Sequence, residues 1–129
     1  MARVYQNVLT RNNWAPASYT ANSTPAIWNV AAGDLIRGAF VQIRVAFDGI
    51  TPVATLGDGG DADGFLTSAL VGITATGLKP AQNTSAYLLE TQGYLYTSAD
   101  TIDVTWTQGG TGTAGFADWW VFVSKVNPH

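Results

Sequence analysis

Two stretches late in the chain differ in how many of their faces need cover. Thr101-Ile102-Asp103-Val104-Thr105-Trp106 alternates apolar and polar residues, whereas Ala117-Asp118-Trp119-Trp120-Val121-Phe122-Val123 is apolar at both parities. Successive side chains of a strand point to opposite faces, so the first stretch reads as a half-buried strand and the second as one that needs cover on two sides. Trp119, Val121 and Val123 fall on one face, Trp120 and Phe122 on the other; adjacent tryptophans of a strand cannot both enter one core. An antiparallel sandwich strand ordinarily shows one face to solvent, so the second apolar face predicts a further partner: another sheet, another copy or another protein.

Composition agrees with a chain that works inside an assembly. Of its 129 residues 47% are apolar and only 12% charged, against about 25% charged in typical soluble domains. The length predicts one domain spanning residues 1–129, with 1–33 read as either an extended N-terminal arm or a loop-rich segment. The net charge is −3, and Arg3, Arg11, Arg37, Arg44, Lys79 and Lys125 are scattered, so no basic stripe forms and no direct nucleic-acid partner is expected. No run approaches the ~20 apolar residues that cross a bilayer, so no membrane partner is expected. Met1-Ala2-Arg3-Val4-Tyr5-Gln6-Asn7 enters a strand pattern directly, which predicts synthesis in the cytoplasm without a secretory leader. Asn22-Ser23-Thr24 and Asn83-Thr84-Ser85 fit the glycosylation pattern but read as turn residues. The absence of cysteine excludes a disulfide framework and a Cys-based zinc site.

Strand signals recur at short spacing. Arg3 to Leu9, Ala26 to Val30, Asp34 to Phe47, Pro52 to Leu56, Ile73 to Thr76, Ser85 to Thr91, Tyr94 to Thr97, Thr101 to Gln108 and the terminal aromatic run are the expected strands. Thr10 to Pro25 reads as loop, and Leu66 to Val71 as a helical turn or a strand start. In the longest candidate, Val41, Ile43, Val45 and Phe47 share one face and Gln42, Arg44 and Ala46 the other. Short strands without a βαβ rhythm predict an all-β fold: an antiparallel two-sheet sandwich, jelly-roll-like.

Few residues invite chemistry. Gly57-Asp58-Gly59-Gly60-Asp61-Ala62-Asp63-Gly64 sets Asp58, Asp61 and Asp63 close together as candidate oxygen ligands for Ca²⁺, although the EF-hand spacing fails because Leu70 stands where the bidentate Glu belongs. The competing reading is a turn, in which Asp side chains bond nearby amides. His129 is the only imidazole and is the last residue of the sequence, so the usual nucleophile and base pairs have no candidate base. Glu90, Asp100 and Asp103 remain as candidate members of a carboxylate pair for glycoside cleavage, with surface carboxylates the competing reading. The chain is therefore expected not to be an enzyme and to need no cofactor, with Ca²⁺ the one candidate. Among fifteen aromatics, Trp14 and Tyr19 lie beside Asn, Ser and Thr; with Trp119, Trp120 and Phe122 they are the candidate interface residues.

The run Val45-Ala46-Phe47-Asp48-Gly49, followed by Ala54-Thr55-Leu56-Gly57-Asp58-Gly59-Gly60-Asp61-Ala62-Asp63-Gly64-Phe65-Leu66, resembles a theme of small tailed-bacteriophage virion proteins of β-sandwich type, the capsid decoration or cement proteins. Gly93-Tyr94-Leu95-Tyr96, Asp100-Thr101-Ile102-Asp103-Val104-Thr105, and Thr113-Ala114-Gly115 before an aromatic strand are similar to the closing strands of such proteins. The likeness runs from Phe40 to Val126 and departs at Trp119-Trp120, where Val-rich strands are usual. It implies a module on the capsid surface of a virion that bridges neighbouring major capsid protein subunits, often as a homotrimer. A calcium-dependent carbohydrate-binding jelly roll of a phage tail or head fibre is the alternative, with the exposed aromatics as the sugar platform.

Overall fold

The computed structural model describes residues 3–79, 86–88 and 93–128. It contains β1 (Arg3–Trp14), β2 (Ala26–Val30), β3 (Leu35–Val45), β4 (Val53–Gly57), α1 (Ser68–Val71), β5 (Gly77–Lys79), β6 (Tyr94–Leu95), β7 (Asp100–Thr107) and β8 (Phe116–Pro128). They form two antiparallel sheets. The larger runs β1-β8-β3-β5, with β6 also on β3, and the smaller runs β2-β7-β4. The first strand pairs with the last, β2 with β7, and β3 with β5 and β6, while Leu56 of β4 bridges Leu66. This wrapping of an antiparallel ribbon over two sheets is the jelly roll anticipated from the strand spacing.

Strand parity explains the core. Ile102, Val104 and Trp106 of β7 meet Ala117, Trp119, Val121 and Val123 of β8 between the sheets, all of them buried. On β3 a register shift between Ile36 and Gly38 inserts one residue, so Ile36, Ala39, Val41 and Ile43 all face inward although their spacing is uneven. A second shift between Ile43 and Val45 leaves Val45 48% exposed, contrary to its expected place beside Ile43 and Phe47. At one end of the core Trp14, Phe47, Trp106 and Trp119 pack ring to ring; Trp14 lies 5.8 Å from Phe47, 6.0 Å from Trp106 and 5.9 Å from Trp119 between centroids.

The first strand, expected over Arg3 to Leu9, runs on to Trp14, so the loop expected from Thr10 begins later. β1 pairs with β8 in unbroken register from Arg3↔Pro128 to Trp14↔Ala117. Thr10 to Trp14 has a polar sequence yet is strand, because a ready-made neighbour supplies backbone partners and Trp14 has a core to enter. Ile73 to Thr76, expected as strand, instead lies in turn structure before β5. Leu66 to Val71 resolves as the short helix α1. The Thr67 side chain accepts from Leu70 N at its start, and Gly72 closes it in the left-handed conformation. Of the strand expected over Ser85 to Thr91, residues 86–88 form a turn and the rest lies outside the described residues.

Loops gather at the ends of the sandwich. At the end near Trp14, the exposed Asp48 accepts hydrogen bonds from Thr113 N, Ala114 N and Thr113 Oγ1 at 2.7–2.8 Å. These bonds hold the Asp48 carboxyl below its ordinary pKa and tie the β3–β4 loop to the β7–β8 loop. Gly115 begins β8's approach at φ +151°, and a Cβ there would strike the Phe47 ring, so the close stack of loop on core needs glycine. Trp119 has no room to leave this packing. Trp119→Ala is expected to cost about 3–5 kcal/mol in chemical denaturation, whereas Trp120→Ala, on the opposite face, costs markedly less.

Candidate functional site

The outer face of the larger sheet is where the second apolar parity of β8 is displayed. Register places three rows across it: Leu9, Phe122 and Gly38; Arg11, Trp120 and Phe40; Asn13, Asp118, Gln42 and Leu78. Phe40 and Trp120 stack with centroids 5.6 Å apart and planes 15° from parallel, and the Arg11 guanidinium lies 5.4 Å over the Trp120 ring. Leu9 is 46%, Phe122 39% and Leu78 66% exposed. Below them Arg44 Nε donates to Asp118 Oδ2, and Asp118 is 1% exposed. The result is a rigid aromatic and aliphatic surface on a strand fixed from both sides, with arginines over and beside it.

The other outer face is chemically different. There β7 presents Thr101, Asp103 and Thr105, and β4 presents Thr55 opposite Thr105. Thr101 Oγ1 donates to Asp103 Oδ1 at 2.8 Å. A threonine face is at ease in water; a Leu, Phe and Trp face carries the composition of an interface centre.

Of the five expected interface residues, the sheet brings Trp120 and Phe122 to this surface. Trp14 and Trp119 do not belong to it: they are 6% and 0% exposed in the aromatic core, as their inward parity requires. Tyr19 is half-buried and donates from Oη to Gly115 O at 2.8 Å, fastening the β1–β2 loop to the start of β8. Leu9, Phe40 and Leu78 are the residues that sequence reading missed. For Phe40 the signal was present, since it stands out of phase with Val41 and Ile43.

The candidate calcium ligands are engaged in bonds within the chain. Asp58 is 4% exposed, and its Oδ1 accepts from Gly60 N, Asp61 N and Tyr87 Oη at 2.8–2.9 Å while Oδ2 accepts from Tyr96 Oη at 2.8 Å. Asp61 Oδ1 accepts instead from Asp63 N at 3.4 Å. No group of three carboxylate or imidazole side chains among the described residues is arranged to hold a metal. The segment forms a turn in which the Asp58 carboxylate is surrounded by four donors. Glu90 and His129 lie outside the described residues. Asp100 and Asp103 sit on β7, where Asp100 accepts from Thr101 N and Asp103 from Thr101 Oγ1.

With the fold and its faces defined, two solved structures are similar to this chain. One is a chain of the cyanophage Pam1 capsid asymmetric unit, with a TM-score of 0.66 and 15% identity over 94% of this chain and 84% of that one. The other belongs to the acidic stable capsid structure of Helicobacter pylori bacteriophage KHP30, with a TM-score of 0.64 and 11% identity over 99% of this chain and 98% of that one. The fold is one found in phage capsids. No protein-family model and no curated protein matches the sequence.

Two outcomes follow from the Asp58 geometry. Burial, and then the hydrogen bond donated to Asp58, push the Tyr87 and Tyr96 hydroxyls well above the ordinary tyrosine pKa. The folded chain thus keeps protons that the unfolded chain loses above about pH 10, so this stabilisation is complete below about pH 10 and declines as pH rises beyond it. Urea midpoints taken across that range should fall, and Tyr96→Phe should flatten the fall. Calcium titrated into the protein should leave the melting temperature unchanged; a concentration-dependent rise would restore the metal reading.

Proposed function

We propose that this protein is a non-enzymatic structural component of a tailed-phage virion, a decoration or cement module that binds the capsid surface after synthesis in the host cytoplasm. The observation that carries the reading is the extent of the likeness: the similarity to the KHP30 capsid chain takes in 99% of this chain and 98% of that one, so the whole fold and not a fragment is held in common. The sequence resemblance to small virion proteins, drawn from short strand and turn signals, points the same way.

In this reading the outer face around Phe40, Trp120 and Phe122 is buried against neighbouring subunits, and the module bridges major capsid proteins as a homotrimer. Flat aromatic side chains lose little rotamer freedom on burial, which suits a contact repeated many times in fixed geometry. Arg11 and Arg44 frame the patch and give it register against carboxylates. The sugar-binding alternative relies on calcium held by the Asp58 loop, and the internal bonding of Asp58 favours the structural reading over it.

The test uses purified protein and capsids of the phage that carries it. Wild-type protein is expected to sediment with capsids and to scatter light as a trimer. Phe122→Ser and Trp120→Ser should abolish co-sedimentation, while Phe122→Ser shifts the unfolding free energy by no more than about 1 kcal/mol because the side chain is partly exposed. Full capsid occupancy by both variants, or no capsid binding by the wild type, would overturn the reading.

A further inference from the structure

The sheet edges are not equally protected. β2 has five residues interrupted by a register shift between Ala26 and Trp28, β5 has three and β6 two, and β4 is bridged along its side by Leu66. Short length, bulges and covering segments are the usual means of keeping an edge from pairing with another chain. β1 is less protected: among the described residues no strand pairs with its outer side, and Asn12 alone is tied to the neighbouring sheet. It is a free edge of twelve residues, in unbroken register with β8, and contains no Pro, Gly or Lys. Its Arg11 lies over the Trp120 ring, on the sheet face, so it does not stand guard at the rim.

A second feature lies beside this edge. Asn12 Nδ2 donates to Ile27 O at 3.2 Å and ties the edges of the two sheets together. Next to that tie they part around a partly open cavity of about 50 Å³, lined by Thr10 of β1, Trp28 of β2, Ile102 of β7, and Val121 and Val123 of β8, with the Asp34–Lys125 ion pair also in its wall. Its size suits a small aliphatic group.

We propose that the free edge of β1 receives an extended, acid-bearing segment of a partner polypeptide as an added antiparallel strand. Charge selects the occupant. The charged residues of Arg3–Trp14 are Arg3 and Arg11, both cationic, so two β1 strands of different copies would bring together four arginines and no carboxylate. A segment with a carboxylate meets Arg11 on the outer face, and its neighbours, at the opposite parity, turn small aliphatic side chains inward, one toward Thr10 and the cavity and the other beside Asn12. The recognised pattern is thus an acidic residue between two small aliphatic ones in extended conformation. The edge shares Arg11 with the outer face assigned above, but the backbone groups and the cavity that would receive the segment lie outside that face, so strand addition at β1 and capsid binding by Trp120 and Phe122 are read out separately.

Nitrogen-15-labelled full-length protein titrated with the peptide acetyl-Thr-Val-Glu-Val-Thr-amide is expected to show amide shifts confined to β1 and the cavity lining. The same peptide with Lys for Glu should bind at least about tenfold more weakly, and Arg11→Glu should reverse the order. Unmoved β1 amides at millimolar peptide, or equal binding of the two peptides, would overturn the proposal. So would isotope-filtered contacts between the β1 strands of two copies, which assign the edge to self-pairing.

Discussion

One strand commits its two faces to two different surroundings, and most of the molecule is arranged around that division. β8 lies between β1 and β3 and supplies the inward row of Ala117, Trp119, Val121 and Val123 as well as the outward pair Trp120 and Phe122. Its inward row needs the smaller sheet as a lid, which Ile102, Val104 and Trp106 of β7 provide. Its outward row has no protein layer above it among the described residues. A strand held on both sides cannot rotate to hide that row, so the apolar outer face is a consequence of position in the sheet and not of local disorder in packing.

The ends of the sandwich solve a different difficulty, how to anchor long loops with few charges. At one end Asp48 collects amides and a hydroxyl from Thr113 and Ala114; at the other, Asp58 collects amides from its own turn and hydroxyls from Tyr87 and Tyr96. Both use a carboxylate as a multiple acceptor, but the first is exposed and the second buried. Around Asp58, Tyr87 and Tyr94 stack at 3.8 Å and Phe65 meets Tyr87 edge-on at 5.1 Å, so hydrogen bonds and ring contacts fix the same residues. A sequence with 12% charged residues thus places carboxylates where each can satisfy several donors.

Much of the sandwich was legible from parity. The alternation in β7, the double apolar character of β8 and the opposed placement of Trp119 and Trp120 all follow from a period of two. The misread parts share a cause, since each depends on a partner distant in sequence. Thr10 to Trp14 has turn-like composition, and only pairing with residues 117–121 makes it strand. Trp14 sits among polar neighbours in sequence but among Phe47, Trp106 and Trp119 in space. Val45 breaks the expected alternation because β3 changes register against β8, which no local pattern records. The Asp58 cluster offered two readings from composition alone, and neither reveals that Asp58 meets the hydroxyls of Tyr87 and Tyr96, 29 and 38 residues away.

The pairing of β1 and β3 with β8 also sets an order of events during synthesis. Every strand of the larger sheet is made before the strand that joins them, and β1 waits more than 100 residues for its hydrogen-bond partner, as the span from Thr10 to Val121 illustrates. Sheets closed by such distant contacts form late, after the entropy of a long loop has been overcome. A chain that stops short of β8 therefore has neither a complete core nor an outer face bearing Trp120 and Phe122. The outer apolar surface and the closed core thus appear in one step, when β8 is inserted between β1 and β3, and neither exists without the other.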